Sequence, residues 1–165
     1  VPDPARIRRP LVAAALLLGG GMGGFVDGIL FHQILQLHNM LSARYPTTGP
    51  DPAAVVANLE VNMVWDGLFH AATWAATAAG LVLLFRAGGR ADVDWSGRAF
   101  AGGLLAGWGL FNFVEGLIDH HLLHVHHVVE GPGHLVWDVL FLMSGVALIA
   151  GGLALLRRPG SAHPG

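Results

Sequence analysis

Four long apolar stretches of this chain each carry acids and histidines, the side chains that a lipid environment tolerates least. They are Asp27, His32 and His38; Asp66 and His70; Glu115, Asp119, His120 and His124; and His134 and Asp138. A charged side chain at the centre of a bilayer costs about 2.5–3.5 kcal/mol on insertion scales. One such residue is affordable in a span. Four stretches carrying them at matched depth imply a shared buried site, most economically a metal site.

The rest of the composition agrees with a membrane setting. Of 165 residues, 53% are hydrophobic and only 12% are charged, against about 25% charged in ordinary soluble domains. Net charge is −2, so nothing points to nucleic acid. The 24 glycines suit helices that approach closely, because packing rather than water exclusion joins helices in lipid. There is no cysteine, which excludes disulfides and thiolate ligands. Ten histidines are present, and all but one fall between His32 and His134.

A span needs about 20 mostly apolar residues, and four segments qualify: residues 11–41, 59–85, 98–124 and 134–156. The expected architecture is all-α, a single four-transmembrane-helix bundle over residues 1–165, with a disordered Pro/Gly/Ser-rich tail at 159–165. The first segment is too long for the apolar run of a cleaved leader. Its Gly19–Gly24 stretch is a weak helix former that permits a bend or tight packing. Asp51 is placed to cap the second helix, with Pro52 at its first position. Gly-rich faces on spans one and three serve packing within or between chains, which leaves a homo-oligomer open.

Basic residues give the orientation. Arg6, Arg8 and Arg9 precede the first span, Arg86, Arg90 and Arg98 flank the second connection, and Arg157 and Arg158 follow the fourth span. The other two connections hold only Arg44. Both termini and the middle loop are therefore expected in the cytoplasm of a bacterial inner membrane. On that orientation every acid and histidine in the four groups falls in the outer half. The inner halves, such as Val12–Leu18 and Ala75–Leu84, are apolar or small.

Helical spacing sharpens the picture, since residues four apart share a face. Asp66 pairs with His70, Glu115 with Asp119, His120 with His124, and His134 with Asp138. Asp27 and His38, eleven apart, nearly align on an ideal helix. His32 lies five after Asp27 and joins them only if a π-bulge or kink rotates it. His121, His126 and His127 are expected at the outer surface, solvated or collecting metal for a deeper site. The segments also echo one another. Val26-Asp27-Gly28-Ile29-Leu30-Phe31-His32, Trp65-Asp66-Gly67-Leu68-Phe69-His70 and Val114-Glu115-Gly116-Leu117-Ile118-Asp119-His120 share an acid-Gly-aliphatic core, and Trp137-Asp138-Val139-Leu140-Phe141 is a partial fourth copy. An ancient duplication and repeated use of one packing solution both account for so short a match.

The runs GFVDGILFHQILQLHNM, WDGLFHAATW, FNFVEGLIDHHLLHVHHV and WDVLFL resemble a bacterial membrane family known as domain of unknown function 2243, from about Gly20 to Leu156. The resemblance implies a four-span inner-membrane protein and brings no activity with it. Relatives that adjoin copper-oxidase assembly factors imply metal handling, with oxidase-assembly or metal-delivery proteins as partners beside the lipid bilayer.

Imidazole nitrogen with carboxylate oxygen suits copper, zinc or iron. The expected ligands come from Asp27, His32, His38, Asp66, His70, Glu115, Asp119, His120 and His124, with carboxylates that do not touch metal orienting the rings. Three functions are consistent with that set: a transition-metal-binding or handling protein, a membrane metalloenzyme (oxidoreductase or hydrolase), and a haem protein with paired axial histidines such as His70 and His124. A purely structural polar network is the fourth. Proton translocation is disfavoured, because the inner halves lack relays.

Overall fold

The structure, a computed structural model, describes residues 7–157. The expected disordered tail at 159–165, together with Arg6 and Arg158, lies outside the described residues. The chain forms four helices long and apolar enough to cross a membrane. Among the described residues there is no strand, only an isolated bridge between Ile7 and Val93.

Helix α1 covers Arg9–Phe25 and continues as a π-helical segment over Val26–Ile34. Helix α2 covers Pro52–Gly88. Helix α3 covers Gly97–Glu115 and continues as a second π-helical segment, Gly116–Leu122. Helix α4 covers His134–Arg157. Asp51 caps α2 as expected, accepting from the Ala53 amide at 3.0 Å, and Pro52 fills the first helical position, where no amide is needed. Ser96 caps α3 through the Ala99 amide.

The ends differ from the sequence expectation in one instructive way. Helical structure stops at Ile34 and Leu122, not at 41 and 124. Each π-helical segment is followed by a residue with positive φ, Gln36 at 50° and His124 at 48°. A non-glycine residue there cannot continue a right-handed helix. The apolar run goes on, but the backbone folds back over the helix end.

Helices α1 and α3 form the inner pair, about half buried, while α2 and α4 flank them with only 11% of their apolar windows buried. Exposed α2 and α4 faces carry Trp65, Trp74, Leu81, Phe85, Leu135 and Leu140, as lipid-facing surfaces require. The inner pair touches through glycine. A methyl group on Gly19 would collide with the Leu104 carbonyl, and one on Gly107 with the Leu16 carbonyl. At the end that holds both termini, Ile7 bonds Asp92 and Asp94 through the backbone, and Arg8 pairs with Asp94 at 2.6 Å.

Those glycine contacts are reciprocal, and so are the bonds that follow the two π-helical segments. Residues of the first hairpin (α1, its π-helical segment and α2) recur in the second. The shift is 88 positions in α1 and α3, the separation of the hydrogen-bonded pair Ser42 and Glu130. It is 72 in α2 and α4. Leu35 bonds Leu30 and Leu37 bonds Phe31; at the shifted positions Leu123 bonds Ile118 and Val125 bonds Asp119. The two hairpins run in the same sense, so a pseudo-two-fold axis passes along the bundle between α1 and α3. The sequence echo is a structural duplication.

Candidate metal centre

The polar groups meet at the end of the bundle remote from both termini. The α-helix period does not bring them together there; the π-helical period does. In a π-helix residue i bonds residue i+5, so Asp27 and His32 lie on one face, as do Glu115 and His120. His32 Nε2 is 3.1 Å from Asp27 Oδ2, and His120 Nε2 is 3.2 Å from Glu115 Oε1. The rotation that His32 needed is therefore present, twice. Asp119 is turned aside by the same change of period and sits half-buried against an apolar groove.

The folded-back loops supply two more rings. His38 follows Gln36, and His126 follows His124, at equivalent positions of the two halves. His38 Nδ1 donates to the Val128 carbonyl at 2.9 Å, and His126 Nδ1 donates to the Met40 carbonyl at 3.0 Å. Each loop thus pins the histidine of the other. The two rings stack at 4.7 Å and 7° on the pseudo-two-fold axis. His32 stands edge-on to His38 at 4.4 Å, and His120 edge-on to His126 at 4.7 Å.

Two further carboxylates brace this core. Asp66 accepts from His32 Nδ1 at 3.0 Å, the Met40 amide at 2.8 Å and Asn39 Nδ2 at 2.7 Å. Asp138, its counterpart, accepts from the Val128 amide at 3.0 Å and from His127 Nδ1 at 2.7 Å, with His120 Nδ1 3.5 Å away.

These contacts decide where the protons are. A carbonyl only accepts, so His38 and His126 carry hydrogen on Nδ1. The Asp66 carboxylate puts hydrogen on His32 Nδ1 in the same way. A neutral ring then presents a bare Nε2. For His32 that lone pair faces Asp27, and for His126 it faces Glu115 at 3.0 Å. Two acceptors in contact repel unless a proton or a metal ion lies between them. His38 Nε2, both oxygens of Asp27, Glu115 Oε2 and both ring nitrogens of His120 are also buried with no hydrogen-bond partner among the described residues. Buried polar atoms are almost always paired, so such a concentration makes this a candidate ligand site.

The loop histidines differ in charge preference. Burial drives His38 well below the ordinary histidine value, and the nearby His126 and His32 add to the effect. Burial is the largest influence on His126 and opposes charge, but its hydrogen bond to Glu115, the Glu115 charge and the Met40 carbonyl together outweigh it, and it titrates above the ordinary value.

Three groups of side chains place one ligand atom each within 4.8 Å of the others: His32, His38 and His126; Glu115, His120 and His126; and His127, His134 and Asp138. Of the residues singled out from sequence, Asp27, His32, His38, Glu115 and His120 come together, and Asp66 holds His32 from outside. His70 instead bonds the Asp66 carbonyl of its own helix at 2.7 Å and lies against Gly28. His124 is exposed in the left-handed turn beside His127 rather than one helical turn from His120. His126, expected as a surface ring, is fully buried at the centre. Its signal was in the echo: the shift that pairs His32 with His120 also pairs His38 with His126.

Neither the curated proteins nor the solved structures hold a match to this chain. A family model described as predicted membrane protein (DUF2243) matches residues 14–159. With four apolar helices and nearly its whole length covered, the chain belongs to that family of membrane proteins.

Proposed function

We propose that this protein is a transition-metal-binding membrane protein. Its centre is His32, His38, His120 and His126 with Asp27 and Glu115, holding one ion on the pseudo-two-fold axis or two related by it. The observation that carries this reading is the cluster of seven buried polar atoms without a hydrogen-bond partner among the described residues, on Asp27, His32, His38, Glu115 and His120, around the His32–Asp27 and His126–Glu115 contacts, each of which a proton or a metal ion can bridge. Among the described residues no Lys or Arg pairs with these carboxylates, so their charge is balanced by imidazolium protons or by a bound metal ion. The Asp66 and Asp138 contacts are those by which carboxylates orient metal-binding imidazoles. An all nitrogen and oxygen set suits copper, zinc or iron. The positive-inside pattern supports a centre on the non-cytoplasmic side of a bacterial inner membrane. Delivery of metal to, or its receipt from, an assembling oxidase is a role that fits such a site.

The four imidazoles touch ring to ring, leaving no room for a porphyrin between them, which argues against haem. A metalloenzyme is the second reading, and one feature favours it. An apolar groove of about 470 Å³ runs along α1 between α2 and α3 and ends at Glu115 and Asp119, a path for a lipid-soluble substrate to the metal.

The deciding experiment is elemental analysis of the detergent-purified protein, as isolated and after incubation with Zn²⁺, Cu²⁺ or Fe²⁺. One or two equivalents per chain are expected, lost in the His38→Ala/His126→Ala double variant. Folded wild-type protein that retains none of the three metals refutes the proposal.

A further inference from the structure

The third ligand group stands apart from the buried centre and breaks the pseudo-symmetry. His127, His134 and Asp138 line the outer end of the second hairpin, with His134 40% exposed at its side chain. The rings of His127 and His134 lie 3.8 Å apart, and both Nδ1 atoms face one oxygen, Asp138 Oδ2, at 2.7 and 3.1 Å. In the first hairpin the same three positions hold Asn39, Asn62 and Asp66. There the amides satisfy the fold: Asn39 bonds Asp66, and Asn62 ties down the loop at Leu41 and Tyr45. Asparagine therefore meets the structural need at these places. The second hairpin has a metal-ligating ring at both instead.

Position gives the rings a use. His127 and His134 line a cleft of about 440 Å³ whose walls include Glu130, Gln36 and the buried His38. His38 is a member of the centre and has a free Nε2. Asp138 joins the two places directly: Oδ2 holds the outer rings, while Oδ1 lies 3.5 Å from His120 Nδ1. An ion bound by the outer triad is thus one carboxylate, Asp138, away from His120, and the cleft leads from the same two rings to His38.

We propose that His127, His134 and Asp138 form a solvent-facing capture site, which takes up a transition-metal ion and passes it through the cleft to the buried centre; this rests on the reading of that centre as a metal site. The triad sets the rate of loading, and the buried ligands set how much metal is held.

Replacing the two rings by the residues of the first hairpin separates these roles. Metal-free wild-type protein and the His127→Asn/His134→Asn variant are mixed with Zn²⁺, and depletion is followed with a fluorescent zinc indicator. His134→Asn alone, at the most exposed of the three positions, serves as a second variant, and thermal unfolding checks that both fold. Uptake is expected to slow by about tenfold, the lower range for a lost local guide, with the final zinc content per chain unchanged. An unchanged rate overturns the capture role. Loss of one equivalent from the final content also overturns it, making the triad a resident site. Wild-type protein that takes up no zinc, copper or iron removes the buried centre and this inference together.

Discussion

Replacing Asp66 by Asn tests whether the carboxylates outside the core tune the imidazoles within it. The substitution keeps shape and removes one negative charge. Asp66 Oδ1 holds His32 Nδ1 at 3.0 Å and the Met40 amide at 2.8 Å; Oδ2 holds Asn39 Nδ2 at 2.7 Å and Gln33 Nε2 at 3.4 Å. The new amide keeps its oxygen at Oδ1, where two donors need it. Its nitrogen then takes the Oδ2 place, and Asn39 turns its own amide over to accept. Only the long Gln33 bond is lost, so stability should fall by about 1 kcal/mol, the net worth of one hydrogen bond. The effect on metal should be larger. A neutral acceptor makes His32 less basic, and loss of such an orienting partner costs about 10–100-fold in affinity, or about 1.4–2.7 kcal/mol. Competition with a chelator of known affinity reads the first number, and thermal unfolding of the metal-free protein reads the second. Affinity within twofold of wild type, with stability reduced, would show that Asp66 only holds the loop at Met40, and would refute the reasoning.

Protons and metal compete for the same nitrogens. His126, raised above the ordinary histidine value near 6.5, holds a proton at pH 6.5 and must release it to bind metal through Nε2. His38, held well below that value, is already neutral and releases none. Affinity should therefore rise with pH until the raised His126 value is passed, with at least one proton released per binding event at pH 6.5. Calorimetry in buffers of different ionisation enthalpy measures that number, and no buffer dependence would remove His126 from the ligands. The chain contains no cysteine, so single cysteines report orientation cleanly: Thr47→Cys should react with a membrane-impermeant maleimide on intact cells, and Gly89→Cys only after permeabilisation. The reverse pattern would invert the topology and put the centre on the cytoplasmic side.

Much of the fold was legible because lipid leaves few choices. Backbone groups must be satisfied within each span, so four apolar runs could only be four helices, and Asp51-Pro52 marked where the second begins. The site was legible in kind but not in detail. Acid and histidine content pointed to a shared polar core, yet spacing was read with the α-helical period. That period pairs Asp66 with His70 and His120 with His124. The core uses the five-residue pairs Asp27 with His32 and Glu115 with His120, which only a π-helical segment aligns. Nothing in the composition of Val26–Ile34 announces that segment. The left-handed turns at Gln36 and His124 were equally hidden, because neither is glycine. What the sequence did hold was the repeat. Extending the echo a few residues past His32 and His120 would have carried His38 onto His126 and moved that ring from the surface to the centre.

The duplication also separates what the fold requires from what has been added to it. A parallel repeat places its axis along the membrane normal, and groups near that axis are met from both halves. Asp27, His32, His38 and Asp66 have counterparts in Glu115, His120, His126 and Asp138, and the crossed bonds of His38 to Val128 and His126 to Met40 need both hairpins in place. One hairpin alone would keep half of this core and leave one loop carbonyl and one loop histidine unpaired. Some departures from the repeat fall where the core meets its surroundings. Asn39 and Asn62 give way to His127 and His134 along the cleft, and Phe31 gives way to Asp119 at the groove. His70, against Gly28, gives way to Leu142, near Gly116. Packing alone would have let each half keep the same residue, since each half evidently tolerates its own. Asymmetry at the cleft and the groove, around a symmetric core, is what two different routes of access to one centre would produce.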